Sequence, residues 1–248
     1  MAPTVADIPC TRDIILRTTS VDRPKNTVAP TKLQPLLRPL VKPRPISKLW
    51  SEVAQRLLAC GILVAITPVM CIAYILVRCT SKGPFLYSQL RPGLNGRAFR
   101  IWKVRTMAVN SDACTKLARR VDARDPRVTF VGRILRKSKL DEFPQLWNIV
   151  RGEMAFVGPR PIAITLHEEL CNEIPGFENR TLVRPGLSNI GQVSIEDNAG
   201  EEHLVDDWRE RFESELHYIQ NRSVEYDLIV MVMTAIFLVL KFTPRFGK

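Results

Sequence analysis

Asp141 and Glu142 stand side by side in the stretch Arg136-Lys137-Ser138-Lys139-Leu140-Asp141-Glu142-Phe143-Pro144-Gln145-Leu146-Trp147-Asn148. Three cations precede the pair, and a proline and a helix-like apolar pattern follow it. One carboxylate so placed can serve as a nucleophile, with its neighbour as helper. A helix beginning here would aim its unpaired N–H groups and positive dipole end at whatever the carboxylates attack. Pro144 suits a first helical turn, because its missing N–H would have no intrahelical partner there. An ordinary charged helix start uses the same residues, so the pair takes its meaning from the elements around it.

The first such element is an apolar run from Leu57 to Val77 without one charged side chain. Its length suits a helix embedded in a bilayer, and it lies too far from Met1 for a typical cleaved signal peptide. A core helix is the soluble alternative, but few cores are apolar all round. Both flanks are basic: Lys42, Arg44, Lys48 and Arg56 before, Arg78, Lys82, Arg91, Arg97 and Arg100 after. Positive flanks favour the cytoplasm, and a simple span cannot place both ends there. Thr67-Pro68 falls at the midpoint. Proline removes a backbone donor and crowds the preceding turn, so a kink is expected, with the Thr67 hydroxyl serving nearby carbonyls. These residues predict a re-entrant helix-break-helix, with a tilted single-pass helix as its rival. A second apolar run, Leu228 to Leu240, is too short to span at about 1.5 Å per residue and reads as an interfacial or core helix.

Elsewhere the pattern is that of a small α+β globule. Residues 1 to about 45 are proline-rich and basic, which predicts a disordered cytoplasmic leader able to rest on anionic lipid. Turn signals at Gly83-Pro84 and Arg91-Pro92-Gly93-Leu94-Asn95-Gly96 bound two strands, Phe85–Gln89 and Ala98–Val104, expected to pair as a hairpin. Helices are expected over Ser111–Val121, Val128–Lys139, Gln145–Val150, Pro161–Ile174 and Asp206–Gln220, with a long loop from Pro185 to Gly200. Asp125 reads as a cap for the helix after it rather than a metal ligand. The division expected is a leader at 1–46, a membrane segment at 47–80 and a cytoplasmic catalytic domain at 81–248.

The net charge of +11 suits a phosphorylated substrate, an anionic membrane face or nucleic acid. No zinc finger, RNA-recognition signature or heptad-linked basic region accompanies it, which argues against sequence-specific nucleic-acid binding. The six cysteines show no C-x-x-C pair and no metal spacing, which favours a reducing compartment. P-loop, G-x-G-x-x-G, H-E-x-x-H and G-x-S-x-G motifs are all missing, and with them the anchors of those chemistries.

What the chain does carry is an ordered series of short motifs. Arg91-Pro92-Gly93 comes first, then Lys103-Val104-Arg105-Thr106-Met107, then Asp125-Pro126-Arg127-Val128-Thr129 with Gly132. The carboxylate stretch follows, then Arg151-Gly152-Glu153-Met154-Ala155-Phe156-Val157-Gly158-Pro159-Arg160-Pro161, and finally Arg184-Pro185-Gly186-Leu187. In order and spacing, from about Lys48 to Lys241, this resembles the bacterial sugar transferases, monotopic phosphoglycosyl transferases that start glycan assembly on a lipid carrier. The resemblance implies transfer of a phosphosugar from a nucleoside diphosphate sugar to polyprenyl phosphate, with release of a nucleoside monophosphate. It implies Asp141 as the nucleophile of an aspartyl-phosphosugar intermediate, Glu142 as its partner, and a magnesium ion near both. It also implies the cytoplasmic face of the bacterial inner membrane and products such as exopolysaccharide or capsule.

Elementary chemistry agrees with that reading. A carboxylate attacking a diphosphate needs charge screening, which magnesium supplies through a few carboxylates and the substrate phosphates. Arg136, Arg160, Lys103 and Arg105 are the candidate phosphate-binding cations. Many relatives follow Pro-Gly with Thr-Gly, an aromatic residue and Asn-Gly-Arg. Here the chain reads Leu187-Ser188-Asn189-Ile190-Gly191-Gln192-Val193-Ser194, so no sugar or nucleotide identity carries over. The large N-terminal helical region of some relatives has no counterpart, and a minimal form is expected. Two alternatives stay open: a non-catalytic membrane-associated adaptor retaining the fold, and a peripheral lipid- or nucleic-acid-binding protein explained by charge alone.

Overall fold

The computed structural model describes residues 42–107, 125, 127–189, 191 and 204–242. The expected leader, the helix at Ser111–Val121 and most of the stretch from Ile190 to Gly200 lie outside these residues. A π-helical turn, Leu49–Ala54, leads into helix α1, Gln55–Thr80. Together they make one helix long and apolar enough to cross a membrane. The expected interruption at Thr67-Pro68 does not end the helix, which runs continuously with Pro68 inside it. Pro68 withdraws a donor from the ladder, and the Thr67 hydroxyl adds one at the Leu63 carbonyl, 2.8 Å away.

Strands β1 (Leu86–Pro92) and β2 (Ala98–Val104) pair antiparallel, with Leu86 opposite Val104 and Pro92 opposite Ala98. The first strand runs three residues past its predicted end, to the Pro92-Gly93 turn. There Gly93 N–H donates to Arg97 O at 2.9 Å, and Asn95 and Gly96 take left-handed backbone. Phe99, Ile101 and Val104 of β2 are buried. Helix α2, Phe130–Lys137, is capped by Thr129, whose hydroxyl accepts from the Gly132 N–H. Asp125 does not cap it, but instead closes its own turn by accepting from the backbone and guanidinium of Arg127. Gly132 lies against the Thr106 carbonyl, where a methyl group would collide with backbone.

After α2 the chain turns through Lys139, which is left-handed (φ 58°), into a 3-10 turn at Leu140–Glu142 and then helix α3, Gln145–Val150. Pro144 stands at the N-cap of α3, one place ahead of the predicted first turn. Strand β3 (Ala155–Val157) pairs in parallel with β4 (Gly186–Ser188), a pairing carved from what reads as loop. Gly158 and Gly186 meet backbone to backbone, a contact no side chain would allow. Between them lie α4, Ile164–Glu173, and a 3-10 segment, Phe177–Leu182; α5, Leu204–Asn221, and α6, Val224–Phe242, complete the chain.

Three apolar cores hold these elements, and α1 enters two of them. Near its start, Ala59 is buried with Phe99, Ile101, Leu146, Ile149 and Ile219, and Ile62 and Leu63 pack alongside. Near its end, Ala73 and Val77 are buried with Val104, Val131 and Leu135. The middle of the helix exposes Val64, Val69 and Ile72. The third core joins Leu170 and Ile174 to Phe177, Trp208 and Phe212. Helix α6 buries Val230 yet exposes Leu228, Ile229, Val232, Ile236 and Phe237. It is thus partly a core helix and partly an uncovered apolar face.

Candidate active site

Three other segments converge on the Leu140–Glu142 turn. Lys103 comes from β2, Arg160 from the segment after β3, Arg136 from α2, and the carboxylates from the turn itself. Glu142 is buried, and its Oε1 receives both Lys103 Nζ at 3.1 Å and Arg160 Nη2 at 2.8 Å. Asp141 is half-buried beside it and makes no hydrogen bond or ion pair with any described residue. One carboxylate is therefore fixed, and the other is held ready.

The charges follow from this placement. Burial alone would raise the Glu142 carboxyl, but Arg160, Lys103 and Lys139 override it and hold it well below the usual carboxylate range. Asp141 shifts the other way. Burial raises it and the Glu142 charge adds to the rise, against the pull of Lys103, Lys139 and Arg136. Lys103 is lowered, chiefly by burial and then by Arg160, with Glu142 opposing. Glu142 is thus ionised under any ordinary condition, while Asp141 is the more basic carboxylate of the two.

The structure brings together Asp141, Glu142, Lys103 and Arg160, with Arg136 nearby. Arg136 Nε donates to Thr106 Oγ1 at 2.8 Å, which ties α2 to the end of β2. Arg105 is not part of this cluster. Strand β2 ends at Val104, so the alternation that would set Arg105 beside Lys103 stops. Its guanidinium donates instead to the Ser81 and Lys82 carbonyls at 2.8 and 3.0 Å, securing the C-terminal end of α1. Thr67 and Pro68 lie on the exposed middle of α1.

Behind the cluster stands a buried pair that sequence pattern does not mark as functional. Arg180 and Glu215 leave only 3% and 2% of their side chains exposed and bond at 2.8 and 2.9 Å. Glu215 Oε1 also accepts from the Arg160 N–H at 3.1 Å, and Arg180 Nη2 donates to the Arg160 carbonyl at 2.8 Å. Both polar groups of the Arg160 backbone are therefore held by one ion pair. Asn189 Nδ2 adds a bond to Glu215 at 2.7 Å. The visible signal is the acid itself: Glu215 lies between Phe212 and Ile219, in step with the apolar face of α5.

Among the described residues no group of three histidine, cysteine or acidic side chains forms a metal cage. Asp141 and the Oε2 oxygen of Glu142 are the oxygen donors that a hard cation would find here. A phosphate-rich ligand would meet them across a rim of cations. The arrangement suits attack by a carboxylate on a phosphorus centre whose oxygens are neutralised by Lys and Arg.

Comparison with known proteins identifies the family. The family model described as Bacterial sugar transferase matches residues 46–241. A UDP-glucose:undecaprenyl-phosphate glucose-1-phosphate transferase of Escherichia coli is 35% identical over 189 residues, covering 76% of this chain and 40% of that protein. One of the same name from Caulobacter vibrioides is 36% identical over 194 residues, covering 77% of this chain and 71% of its own. The exopolysaccharide production protein ExoY of Sinorhizobium fredii is 34% identical over 205 residues, 77% of this chain and 86% of that protein. The chain thus spans about two fifths of the Escherichia coli relative and most of the Sinorhizobium one. The match runs through every element that builds the Asp141-Glu142 site, and the chain belongs to the bacterial sugar transferase family.

Proposed function

We propose that this protein transfers a sugar 1-phosphate from a nucleoside diphosphate sugar to polyprenyl phosphate, and so initiates a glycan such as an exopolysaccharide or capsule. The Asp141 carboxylate attacks the sugar-linked phosphorus, and the bond to the departing nucleoside monophosphate breaks. A phosphate oxygen of the lipid then attacks the same phosphorus, forming the new diphosphate and regenerating the Asp141 carboxylate. The observation that carries this reading is the contrast within the pair. Glu142 is fixed by Lys103 and Arg160, while Asp141 is half-buried, raised in basicity and without a side-chain partner among the described residues. UDP-glucose and undecaprenyl phosphate, which the relatives' names carry, are the first donor and acceptor to try.

Magnesium fits the donor set, since it binds through one or two carboxylates plus substrate phosphates rather than an all-protein cage. Asp141 and Glu142 would hold it, and when bound it supplies charge neutralisation at the diphosphate. Lys103 and Arg160 keep Glu142 ionised and face the same phosphates.

We also propose that α1 is re-entrant, with 1–46 as leader, 47–80 as membrane segment and 81–248 as catalytic unit on the cytoplasmic face of the inner membrane. Its support is that both ends of α1 enter cores of one globule while the middle is bare. In a cysteine-free background, Ser47→Cys and Ser81→Cys should both be labelled from the cytoplasmic side. Labelling of Ser47→Cys from the periplasmic side alone overturns the hairpin.

The activity test incubates the membrane-bound protein with undecaprenyl phosphate, magnesium and a panel of nucleotide sugars, and follows nucleoside monophosphate release. Asp141→Asn should reduce release by at least about a thousandfold, the scale of losing a covalent nucleophile. Absence of release from every donor would favour the adaptor reading.

A further inference from the structure

Arg91, at the end of β1, is joined to this site by geometry and has no role in the mechanism above. The Pro92-Gly93 turn that follows it lines a small cavity together with Pro159, Arg160 and Pro161. The tip of the hairpin and the Arg160 segment therefore face each other. The Arg91 guanidinium is only partly exposed and, among the described residues, makes one hydrogen bond, from Nη2 to Gln89 Oε1 at 2.7 Å. That acceptor is neutral. Its Nε is buried with no partner among the described residues. The carboxylate within its electrostatic reach, Glu142, already carries Lys103 and Arg160 on one oxygen.

Such a cation is out of balance. A guanidinium taken out of water needs a counter-charge, and Arg91 has instead a second guanidinium, Arg160, as neighbour. Burial and then the Arg160 charge bring its pKa down to about 10, with Tyr87 and Glu142 offsetting only part. Around the site, Arg91, Lys103, Arg136, Lys139 and Arg160 all lie within electrostatic reach of Asp141 or Glu142. Positive charge held in excess, with an N–H left open, is the signature of a site that awaits an anion. Arginine is suited to that task, since its planar fork meets two phosphoryl oxygens at once.

We propose that Arg91 is a phosphate-binding residue of this site, acting beside Arg160 and oriented by Gln89. The proposal rests on the phosphosugar-transfer reading, in which two phosphate sources exist: the diphosphate of the donor and the phosphate of the lipid.

The test uses the full-length protein in lipid nanodiscs, with Arg91→Gln and Arg91→Lys, each first checked for an unchanged thermal unfolding midpoint. Nucleoside monophosphate release is measured with UDP-glucose varied at saturating undecaprenyl phosphate, and then with the lipid varied. Arg91→Gln should raise KM for one phosphate substrate by about tenfold or more, the scale of one charged hydrogen-bond contact, with a smaller effect on kcat. Arg91→Lys should recover little of it, because an ammonium cannot supply the fork. The substrate whose KM moves identifies the source. In parallel, UDP and inorganic pyrophosphate binding are measured calorimetrically without turnover. If the wild type binds them and Arg91→Gln binds at least about tenfold more weakly, the residue is an anion ligand even should no donor be turned over. KM values and UDP affinity within twofold of wild type in both variants would overturn the proposal. A fall in kcat alone would do the same. Should Arg91→Gln not fold, Arg91→Lys decides by the same criteria.

Discussion

At the scale of single residues, Asp141 and Glu142 are neighbours in sequence and opposites in environment. The Glu142 carboxylate joins cations from two distant parts of the chain, so it contributes to the fold. The Asp141 side chain makes no hydrogen bond to any described residue, and its charged form is disfavoured by burial. Asp141→Asn should therefore abolish transfer while leaving the thermal midpoint unchanged or slightly raised, as calorimetry or intrinsic fluorescence would report. Glu142→Gln should lose activity and stability together, by about 1–3 kcal/mol, because Lys103 and Arg160 would face each other without their shared acceptor. Equal destabilisation by both substitutions would contradict this division. The pair, its cations and Arg160 were legible in the sequence because they sit in short motifs. Which carboxylate is held and which is unpaired depends on Lys103 and Arg160, thirty-nine positions before Glu142 and eighteen after it, a contact only folding creates.

At the scale of elements, the Arg180–Glu215 pair decides how firmly Arg160 is presented. It links the 3-10 segment, α5 and the residue that follows β3, and Arg180 also lies over the Phe177 ring at 4.8 Å. Glu215→Ala should cost about 3–5 kcal/mol, since it leaves a buried guanidinium unpaired, and chemical denaturation would measure it. A loss below about 1 kcal/mol, the scale of an exposed pair, would mean that the pair is not buried in solution. The hairpin, α2, α3, α4 and α5 could be read from pattern to within a few residues. The β3–β4 pairing could not. Its strands are three residues long, too short for any period, and they meet only because Gly158 and Gly186 allow their backbones to touch. The placement of Arg105 also escaped, because strand alternation says nothing about where a strand stops.

At the scale of the whole molecule, the cores tie pH and the long apolar helix to the fold. His167 on α4 lies beside Phe177, with Cys171 Sγ 3.6 Å from its Nε2 and the Arg180 charge nearby. Burial and then Arg180 lower its pKa from 6.5 to about 4. Between those values the unfolded chain binds the proton and the folded one does not, so this contribution to stability is complete above about pH 6.5 and is lost as pH falls toward 4. The unfolding free energy of wild type minus that of His167→Phe should fall as pH drops through that window, as denaturant titrations at several pH values would show; a constant difference would rule it out. The apolar runs of α1 and α6 were plain in the sequence, and the second already read as an interfacial or core helix; that α1 also enters the cores was not legible, because hydropathy does not say which side of a helix finds a partner. Ala59 at one end of α1 and Ala73 and Val77 at the other are small side chains sealed inside the globule. The long apolar helix is thus also a wall of the globule. A fragment beginning at Lys82 would bare Leu146, Ile149, Val104 and Val131 to water, and it should aggregate rather than yield a soluble monomer on size-exclusion chromatography. In the membrane placement proposed above, whatever tilts or lifts α1 would move β2 and α3 with it, and the height of Asp141 above the lipid would be set by the same packing that keeps the protein folded.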